Sequence, residues 1–210
     1  MNVAGDAGVI WRKRLQLSPP PLAAGSGEVR RHLALCGFMG VGKSTLAQIL
    51  APRLQRLALD VDAEAEVELG CSIQECFRAG QQQRFRDLEG EIVARALQGP
   101  PSVLALGGGA LLRPETLTRL LDESILVYLH VPWEELREWI QAQAPGRPLI
   151  QGADLEQIGE LLSLRLPLYR RAHLEVRAGR EGADVAAEQV LGALFADPAE
   201  PAARPLEPGS

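Results

Sequence analysis

Residues Gly37-Phe-Met-Gly-Val-Gly-Lys-Ser44 match the pattern G-x-x-x-x-G-K-[ST] at every fixed position and directly follow the apolar run Leu33-Ala-Leu-Cys36. A strand, a glycine-rich loop and a helix in this order form a phosphate-binding loop. The backbone N–H groups of such a loop surround a polyphosphate, and the helix presents its positive end to it. The lysine contacts the β- and γ-phosphates, and the serine hydroxyl binds Mg²⁺. We therefore predict that the chain binds ATP or GTP.

The composition indicates one catalytic domain. A chain of 210 residues that is 46% apolar can bury one α/β core but is short for two domains. The formal net charge of -5 and a pI of about 5.3 predict no general attraction to nucleic acid or to anionic membranes. Cys36, Cys71 and Cys76 lack C-x-x-C spacing, so we expect free thiols and a cytoplasmic location.

Both ends of the chain have the composition of flexible tails. The run Pro19-Pro-Pro21 and Gly25-Ser-Gly27 lie near the beginning, and four prolines punctuate the last residues. Such segments bury too little apolar surface to offset the entropy of ordering. We expect a disordered leader at 1–29, a folded catalytic domain at 30–196 and a disordered tail at 197–210.

Short apolar runs alternate with helical patterns between the tails, which is typical of βαβ units and a parallel sheet. We predict strands at 32–36, 56–59, 102–106, 124–130 and 173–177. We predict helices at 43–54, 62–70, 73–79, 85–97, 114–121, 133–142, 155–172 and 183–196. Ligands of such a fold collect at the carboxyl ends of the strands, so polar residues at these ends are the candidate site.

Two carboxylates, Asp60 and Asp62, follow the second predicted strand. Beside bound nucleotide, one carboxylate can hold Mg²⁺ through water while the other accepts a proton from an attacking hydroxyl. An N-cap role for Asp62 is the structural alternative. The preceding phosphate-binding loop favours the functional interpretation.

A glycine triplet, Gly107-Gly-Gly109, follows the third predicted strand. Three glycines cost backbone entropy, which is expected where a ligand approaches the main chain closely and less so in a simple flexible turn. We therefore expect a small ligand beside the phosphates.

Arginines complete the set of candidate residues. Arg86 lies near the start of a predicted helix, Arg147 lies in a segment rich in Gly and Pro, and Arg170 ends another helix. Guanidinium groups match the two oxygens of a carboxylate or phosphate, although each arginine alone also fits a solvated surface charge. Glu89 either orients Arg86 or forms an ordinary i,i+3 surface pair with it.

Taken in order, these motifs resemble the shikimate kinase family from about residue 32 to residue 196. The matching stretches are the phosphate-binding loop to Thr45, Leu59-Asp-Val-Asp62 with Glu66, Gly70-Cys-Ser-Ile73 with Phe77, Phe85-Arg86 with Glu89, Gly107-Gly-Gly-Ala110, Arg147-Pro-Leu149 and Pro167-Leu-Tyr-Arg170. A phosphate-binding loop alone would indicate only a large superfamily, whereas seven motifs in sequence are specific to this family.

The resemblance implies an α/β P-loop NTPase fold with a five-stranded parallel sheet of order 2-3-1-4-5, helices on both faces and a mobile lid. It also implies that ATP phosphorylates the 3-hydroxyl of shikimate, giving 3-phosphoshikimate and ADP on the route to chorismate and the aromatic amino acids. The expected cofactor is Mg²⁺, with ATP as co-substrate. We expect a monomer with no nucleic-acid or membrane partner.

The resemblance also implies roles for individual residues. Asp62, Lys43 and Arg147 are the implied catalytic residues, and Ser44 and Asp60 are the implied metal ligands. The implied shikimate-binding residues are Asp62, Arg86, Gly107, Gly108, Gly109 and Arg170, with the two arginines holding the substrate carboxylate. The implied nucleotide-binding residues are Met39, Gly40, Val41, Gly42, Lys43, Ser44, Thr45 and Arg147, the last on the lid at 141–153.

Some positions depart from the family pattern. Gln81 and Gln82 stand where a Gly-Glu pair is common, and Trp139 lies near the usual position of an arginine over adenine. Adenine recognition therefore stays open between Trp139 and the segment 177–180. Two other functions remain as alternatives: a related small-molecule kinase such as a gluconate kinase, and a shikimate-kinase-like module that senses a ligand. A neutral polyol would leave the two arginines unpaired, and the ligand-sensing proteins carry a DNA-binding segment before this domain.

Overall fold

The computed structural model describes residues 3–5, 9–11, 31–143, 155–179 and 181–195. The strands are β1 (Val3–Gly5), β2 (Val9–Trp11), β3 (His32–Cys36), β4 (Ala58–Asp60), β5 (Val103–Ala105), β6 (Ser124–His130) and β7 (Leu174–Arg177). The helices are α1 (Lys43–Arg53), α2 (Val61–Leu69), α3 (Ile73–Arg78), α4 (Gln82–Gln98), α5 (Pro114–Glu123), α6 (Trp133–Gln143), α7 (Leu155–Tyr169) and α8 (Ala183–Phe195), with a short 3-10 helix at Ala110–Leu112.

The five predicted strands form the parallel part of the sheet. The full order is β1-β2-β7-β6-β3-β5-β4, and all pairs from β7 to β4 are parallel. Numbered among themselves, these five strands have the order 2-3-1-4-5, so the predicted fold class is confirmed. The phosphate-binding loop follows β3, which lies between β5 and β6 in the middle of the sheet.

Two further strands extend the sheet beyond β7. β1 and β2 pair antiparallel, and β2 pairs antiparallel with β7, with Val9 opposite Val176 and Trp11 opposite Leu174. The structure thus has strands at residues 3–5 and 9–11, within the segment that the sequence predicts as a disordered leader. An edge strand offers a row of backbone groups to any extended segment, and the sequence pattern did not reveal this pairing. The rest of the leader and the tail at 197–210 lie outside the described residues, and the domain boundaries stay a prediction.

The core lies along the central strands. The side chains of Leu33, Ala34 and Leu35 are fully buried, as are those of Leu104 and Leu126 on the neighbouring strands. A parallel strand covered by helices on both faces is apolar throughout, which explains its unbroken hydrophobic run. Helices cover these strands, because α1 contacts β3, β4 and β5 while α5 contacts β6.

Most element boundaries agree with the sequence-based prediction to within a few residues. β3 and β6 match at both ends, whereas α4 begins at Gln82, three residues before the predicted start at 85. Helix ends are set by local capping, which periodicity alone does not locate. Within the described residues, none of the helices combines the length and the apolar character that crossing a membrane would need. The segment predicted as a lid lies largely outside the described residues, including Arg147.

Candidate active site

A cavity of about 490 Å³ opens at the carboxyl ends of β3, β4 and β5. It brings together residues of the phosphate-binding loop, the two predicted aspartates and part of the glycine triplet. Its walls are Met39, Gly40, Gly42, Lys43, Ser44, Thr45, Asp60, Asp62, Leu106, Gly108 and Trp139. The carboxyl ends of parallel strands lie along the same edge of the sheet. This explains why residues far apart in sequence share one cavity.

The loop geometry sets the position of Lys43. Gly42 is the N-cap of α1 with φ 89°, a conformation that residues with a Cβ rarely adopt. The Lys43 ammonium donates to the carbonyl oxygens of Gly37 at 3.0 Å and Phe38 at 2.8 Å. Burial lowers the pKa of Lys43, and the nearby Asp62 carboxylate opposes that shift. The lysine is thus held within the loop, beside the backbone groups that would surround a phosphate.

The two aspartates have different structural roles. Asp60 is the N-cap of α2, and its Oδ1 accepts hydrogen bonds from the backbone N–H groups of Asp62 at 3.1 Å and Ala63 at 3.2 Å. The N-cap role that the sequence allowed for Asp62 belongs to Asp60. Because Asp60 satisfies the helix end, the Asp62 side chain is free to face the cavity.

Asp62 is partly buried, and its Oδ1 is a buried atom that has no hydrogen-bond partner among the described residues. Burial raises the pKa of Asp62, while the Lys43 charge opposes the rise. A buried acceptor without a partner is costly unless a ligand supplies one. Asp62 Oδ1 is therefore suited to a hydroxyl group of a bound substrate.

Glu89 is the second carboxylate of this region and is almost fully buried. Its Oε2 accepts from Arg86 Nη1 at 2.7 Å, while its Oε1 lacks a partner in the part of the chain that the structure describes. Burial raises the pKa of Glu89, and Arg86 opposes the rise. The sequence left two alternatives for Glu89: it either orients Arg86 or forms an ordinary surface pair with it. The buried contact shows that Glu89 orients Arg86.

Gly107 allows the two carboxylates to approach each other. A Cβ at this position would lie 2.3 Å from Glu89 Oε1 and 2.5 Å from Asp62 Oδ1. Both unpartnered oxygens therefore border the space where residue 107 has no side chain. We expected a ligand to approach the backbone of the glycine triplet closely. In the structure, the carboxylates of Asp62 and Glu89 approach the backbone of Gly107 closely.

Arg86 is held on three sides beside the glycine triplet. Its guanidinium carbon lies 4.8 Å from the centre of the Phe85 ring and 5.8 Å from that of Phe77, and Glu89 binds one of its nitrogens. A Cβ on Gly109 would lie 2.5 Å from Arg86 Nη2. Stacking and the ion pair together hold the planar guanidinium in one orientation.

The structure brings Arg165 to this region and leaves Arg170 outside it. Arg165 Nη1 donates to the Gly108 carbonyl oxygen at 3.2 Å, and a Cβ on Gly108 would lie 3.3 Å from the same nitrogen. The side chain of Arg170 is exposed. Of the two arginines, Arg165 and not Arg170 therefore lies beside the glycine triplet.

Helical spacing explains why Arg165 lies at the glycine triplet. Arg165 and Tyr169 are four residues apart on α7, so they share one face, and the Tyr169 hydroxyl donates to the Gly108 carbonyl oxygen at 2.5 Å. Arg170 follows Tyr169 directly, beyond the last residue of α7, and its side chain is exposed. The sequence contained this signal, because a buried tyrosine at 169 places residue 165 on the buried face. Arg165 Nε is buried without a partner among the described residues, which suits an incoming anion.

A second cavity of about 220 Å³ adjoins the phosphate-binding loop and is mostly apolar. Its walls include Val41, Thr45, Trp139, Gly179 and Ala183. Trp139 borders both cavities, so a nucleotide could place its phosphates in the first and its base in the second. Of the segment at 177–180, Arg180 lies outside the described residues.

Few side chains of the described residues could bind a divalent cation in the larger cavity. Within residues 31–143, 155–179 and 181–195, no group of three or more His, Cys, Asp or Glu side chains could hold a metal alone. Ser44 and Asp60 both line the larger cavity, and the α2 cap uses Asp60 Oδ1. Mg²⁺ binds through few carboxylates, waters and substrate phosphates, so these two residues fit such an ion.

Comparison with known proteins assigns the family. The family model described as shikimate kinase matches residues 39–194. The chain belongs to the shikimate kinase family. It is 41% identical over 158 residues to the shikimate kinase of Nitrobacter winogradskyi, covering 75% of this chain and 73% of that protein. It is 37% identical over 167 residues to the shikimate kinase of Bradyrhizobium diazoefficiens, covering 79% and 80%.

Solved structures agree with this assignment to the shikimate kinases. The shikimate kinase from Acinetobacter baumannii in complex with shikimate superposes with a TM-score of 0.74 at 32% identity. The superposition covers 82% of this chain and 97% of that chain. The predicted family is therefore confirmed, together with the ATP-dependent kinase activity that defines it.

Proposed function

We propose that the cavity at the carboxyl ends of the strands holds ATP and shikimate side by side and that Asp62 accepts the hydrogen bond of the attacking hydroxyl. The reaction of the family gives ADP and 3-phosphoshikimate. The observation that carries the assignment of Asp62 is its unpartnered, buried Oδ1 in the same cavity as Lys43 and Ser44. A phosphate and a hydroxyl can therefore meet between these groups.

The phosphate end of the site consists of the loop and Lys43. Phosphoryl transfer needs mainly positioning and neutralisation of the phosphate oxygens. Lys43 reaches the loop carbonyls of Gly37 and Phe38 here and can exchange those bonds for phosphate oxygens. Ser44 and Asp60 would hold Mg²⁺, the latter through water, and the ion would neutralise charge on the phosphates. We assign Arg147, from the predicted lid, the same neutralising role.

Asp62 provides the acceptor for the 3-hydroxyl proton. A general base works best when its pKa lies near the working pH, and burial moves the pKa of Asp62 upward from the ordinary aspartate range. Its backbone position at the start of α2 is fixed by the Asp60 cap. The carboxylate can thus orient the hydroxyl toward the γ-phosphate and take its proton.

Arg86 and Arg165 provide the cationic end for the substrate carboxylate. Both guanidinium groups border the glycine triplet: Arg86 touches the space beside Gly109, and Arg165 binds the Gly108 carbonyl. Two fixed guanidinium groups favour an anionic alcohol over a neutral polyol, which argues against a gluconate-kinase-like acceptor site. The absence of side chains at 107–109 leaves the ring of shikimate room against the backbone.

We also propose a monomeric, cytoplasmic enzyme without nucleic-acid or membrane partners. The acidic pI of about 5.3 and the three free cysteines support this.

A coupled assay tests the proposed function directly. The purified chain is incubated with ATP, Mg²⁺ and shikimate, ADP release is followed, and the phosphorylated carbon is identified by ³¹P–¹H correlation NMR. We expect ADP release that depends on shikimate and a phosphate on the 3-oxygen. Gluconate serves as the parallel acceptor and should give no product. Phosphorylation of gluconate, or ADP release without a 3-phosphate ester, would contradict the proposal.

A further inference from the structure

The phosphate-binding loop carries a buried aromatic ring that phosphate binding does not use. Phe38 follows the first glycine of the loop, and its side chain is only 1% exposed. The loop pattern leaves this position open, because backbone N–H groups and the lysine hold the phosphates. The ring therefore has either a packing role or a role in another part of the site.

The ring of Phe38 lies against the guanidinium group of Arg165. The guanidinium carbon is 5.8 Å from the centre of the ring. A cation at this distance from an aromatic ring is attracted by the negative charge of the ring face. Arg165 Nη1 also donates to the Gly108 carbonyl oxygen at 3.2 Å. The side chain of Arg165 is thus held by two contacts, one with the phosphate-binding loop and one with the glycine triplet.

The glycine triplet itself packs against the phosphate-binding loop. A Cβ on Gly108 would lie 3.3 Å from Arg165 Nη1, 3.6 Å from the backbone nitrogen of Met39 and 3.8 Å from the carbonyl oxygen of Gly37. These three neighbours surround the space where residue 108 has no side chain. Arg165 therefore lies where α7, the triplet and the loop meet, and Phe38 contributes an aromatic face to this place.

Phe38 also contacts a second cation, through its backbone. Its carbonyl oxygen accepts from Lys43 Nζ at 2.8 Å. Burial lowers the pKa of Lys43, and repulsion by the Arg165 charge lowers it further. A ring face stabilises a guanidinium group beside such a like charge, because it attracts the cation without neutralising the charge that a substrate carboxylate needs.

We propose that Phe38 is a positioning residue for shikimate recognition: its ring holds the Arg165 guanidinium in the orientation that meets the substrate carboxylate. The inference deepens the proposed function and rests on it, because that function assigns Arg165 to the carboxylate. Arg165 Nε is buried without a hydrogen-bond partner among the described residues, so one donor of the held guanidinium remains for the anion. A group that is already oriented loses little freedom when the ligand binds, and the affinity is higher for it.

Fluorine substitution separates this electrostatic role from packing. Fluorine atoms withdraw negative charge from the face of a ring and change its volume little, so they weaken the attraction of a cation in steps. Phenylalanines that carry one, two or three ring fluorine atoms are placed at residue 38 of the full chain. For each protein we measure the KM and the dissociation constant of shikimate, and the dissociation constant of ATP.

The affinity for shikimate should fall with every added fluorine atom. We expect its KM and dissociation constant to rise in steps, to about twofold to tenfold with three fluorine atoms. The dissociation constant of ATP should stay within about twofold, because the backbone groups of the loop are unchanged. Phe38→Leu, which keeps an apolar side chain but lacks the ring, should raise the KM for shikimate about twofold to thirtyfold.

Two controls identify the ring and the cation. Phe195 is an exposed phenylalanine at the end of α8, and the same fluorinated residues placed there should leave the KM for shikimate unchanged. In an Arg165→Gln background, fluorination at residue 38 should have no further effect, because the cation that the ring attracts is gone.

Three results would overturn the inference while the proposed function stands. The first is a shikimate KM that is the same for all fluorinated proteins, because the Phe38 ring would then only pack. The second is a fluorine effect of equal size in the Arg165→Gln background, and the third is an equal loss of affinity for ATP and shikimate. The fluorinated proteins decide the question even if Phe38→Leu fails to fold. If the unaltered chain does not phosphorylate shikimate, the proposed function fails and the inference fails with it.

Discussion

Arg165 and Tyr169 stand one turn apart on α7 and both donate to the carbonyl oxygen of Gly108. Tyr169 also stacks on Tyr128 of β6 with ring centres 5.3 Å apart, which anchors this face of α7 to the sheet. Burial raises the pKa of Tyr169 to about 12, so its hydroxyl keeps its proton and remains a donor at neutral pH. The arginine that we assign to the shikimate carboxylate is thus fixed to the glycine triplet that borders the same site.

Replacing Arg165 tests this assignment. Arg165→Ala should raise the KM for shikimate, or lower kcat/KM, by about ten- to a hundredfold, because a charge-assisted hydrogen bond contributes about 1.5–3 kcal/mol. The KM for ATP should change much less. Arg170→Ala, the exposed neighbour one turn away, is the control and should behave like the unaltered chain. The opposite pattern, with Arg170→Ala impaired and Arg165→Ala normal, would restore the sequence-based assignment.

Asp62→Asn should separate catalysis from binding. The amide oxygen can still accept a hydrogen bond but cannot take up the hydroxyl proton, so kcat should fall by about 10²–10⁴. The dissociation constant for ATP should stay close to that of the unaltered chain, because the phosphate-binding loop is untouched. Steady-state rates and calorimetry check these two expectations. Loss of ATP affinity with turnover preserved would remove Asp62 from the proposed role.

The same variant should change stability in a pH-dependent way. Burial raises the pKa of Asp62 in the folded state, so ionisation of this carboxyl costs stability as the pH rises from the unfolded value near 4 through the folded one. Asp62→Asn should therefore raise the Tm at pH 7, and the gain should shrink toward pH 4. Thermal unfolding at both pH values is the measurement. A lower Tm for the variant at pH 7 would mean that attraction between Asp62 and Lys43 outweighs burial.

A methyl group at residue 107 should damage the shikimate site. In Gly107→Ala the new Cβ would lie 2.3 Å from Glu89 Oε1 and 2.5 Å from Asp62 Oδ1, so both carboxylates must move. Overpacking of this kind costs about 1–3 kcal/mol, and kcat/KM for shikimate should fall at least about tenfold. Gly192→Ala is the control inside α8, where a Cβ meets nothing within 4 Å. That variant should retain activity and gain up to about 1 kcal/mol of stability. Full activity of Gly107→Ala would contradict the close approach seen here.

The buried pair of His32 and Ser102 should make stability depend on pH. His32 Nδ1 lies 3.0 Å from Ser102 Oγ and accepts from the Ser102 backbone N–H at 3.2 Å. Burial, and secondarily the charge of Arg56, lowers the pKa of His32. Its contribution to stability is therefore present above the unfolded pKa of about 6.5 and is lost as the pH falls through the lower folded value.

Thermal unfolding between pH 7.5 and pH 5 checks this expectation. The Tm of the unaltered chain should fall with pH, and His32→Gln, which keeps an acceptor for Ser102, should show a flatter dependence. If the Tm of both proteins depends on pH with the same slope, the titration of His32 does not contribute to the pH dependence of stability.

Much of the fold could be predicted because its signals are local. The loop at 37–44 carries its own glycine and lysine pattern, and β3 and β6 are unbroken apolar runs, so their limits were predicted to the residue. The hairpin of β1 and β2 could not be predicted in this way. Its strands pair with the edge of β7, a contact with a segment more than 160 residues away in the sequence.

The sequence by itself determined the phosphate-binding loop, the alternation of strands and helices, and the carboxylates, glycines and Arg86 that follow the strands. Only the tertiary structure placed Arg165 rather than Arg170 beside the glycine triplet, gave the N-cap of α2 to Asp60, and left Asp62 Oδ1 without a partner among the described residues. The physical reason is that strand and loop signals depend on neighbours in the chain. The direction of a side chain and its lack of a partner depend on which helix face the fold buries.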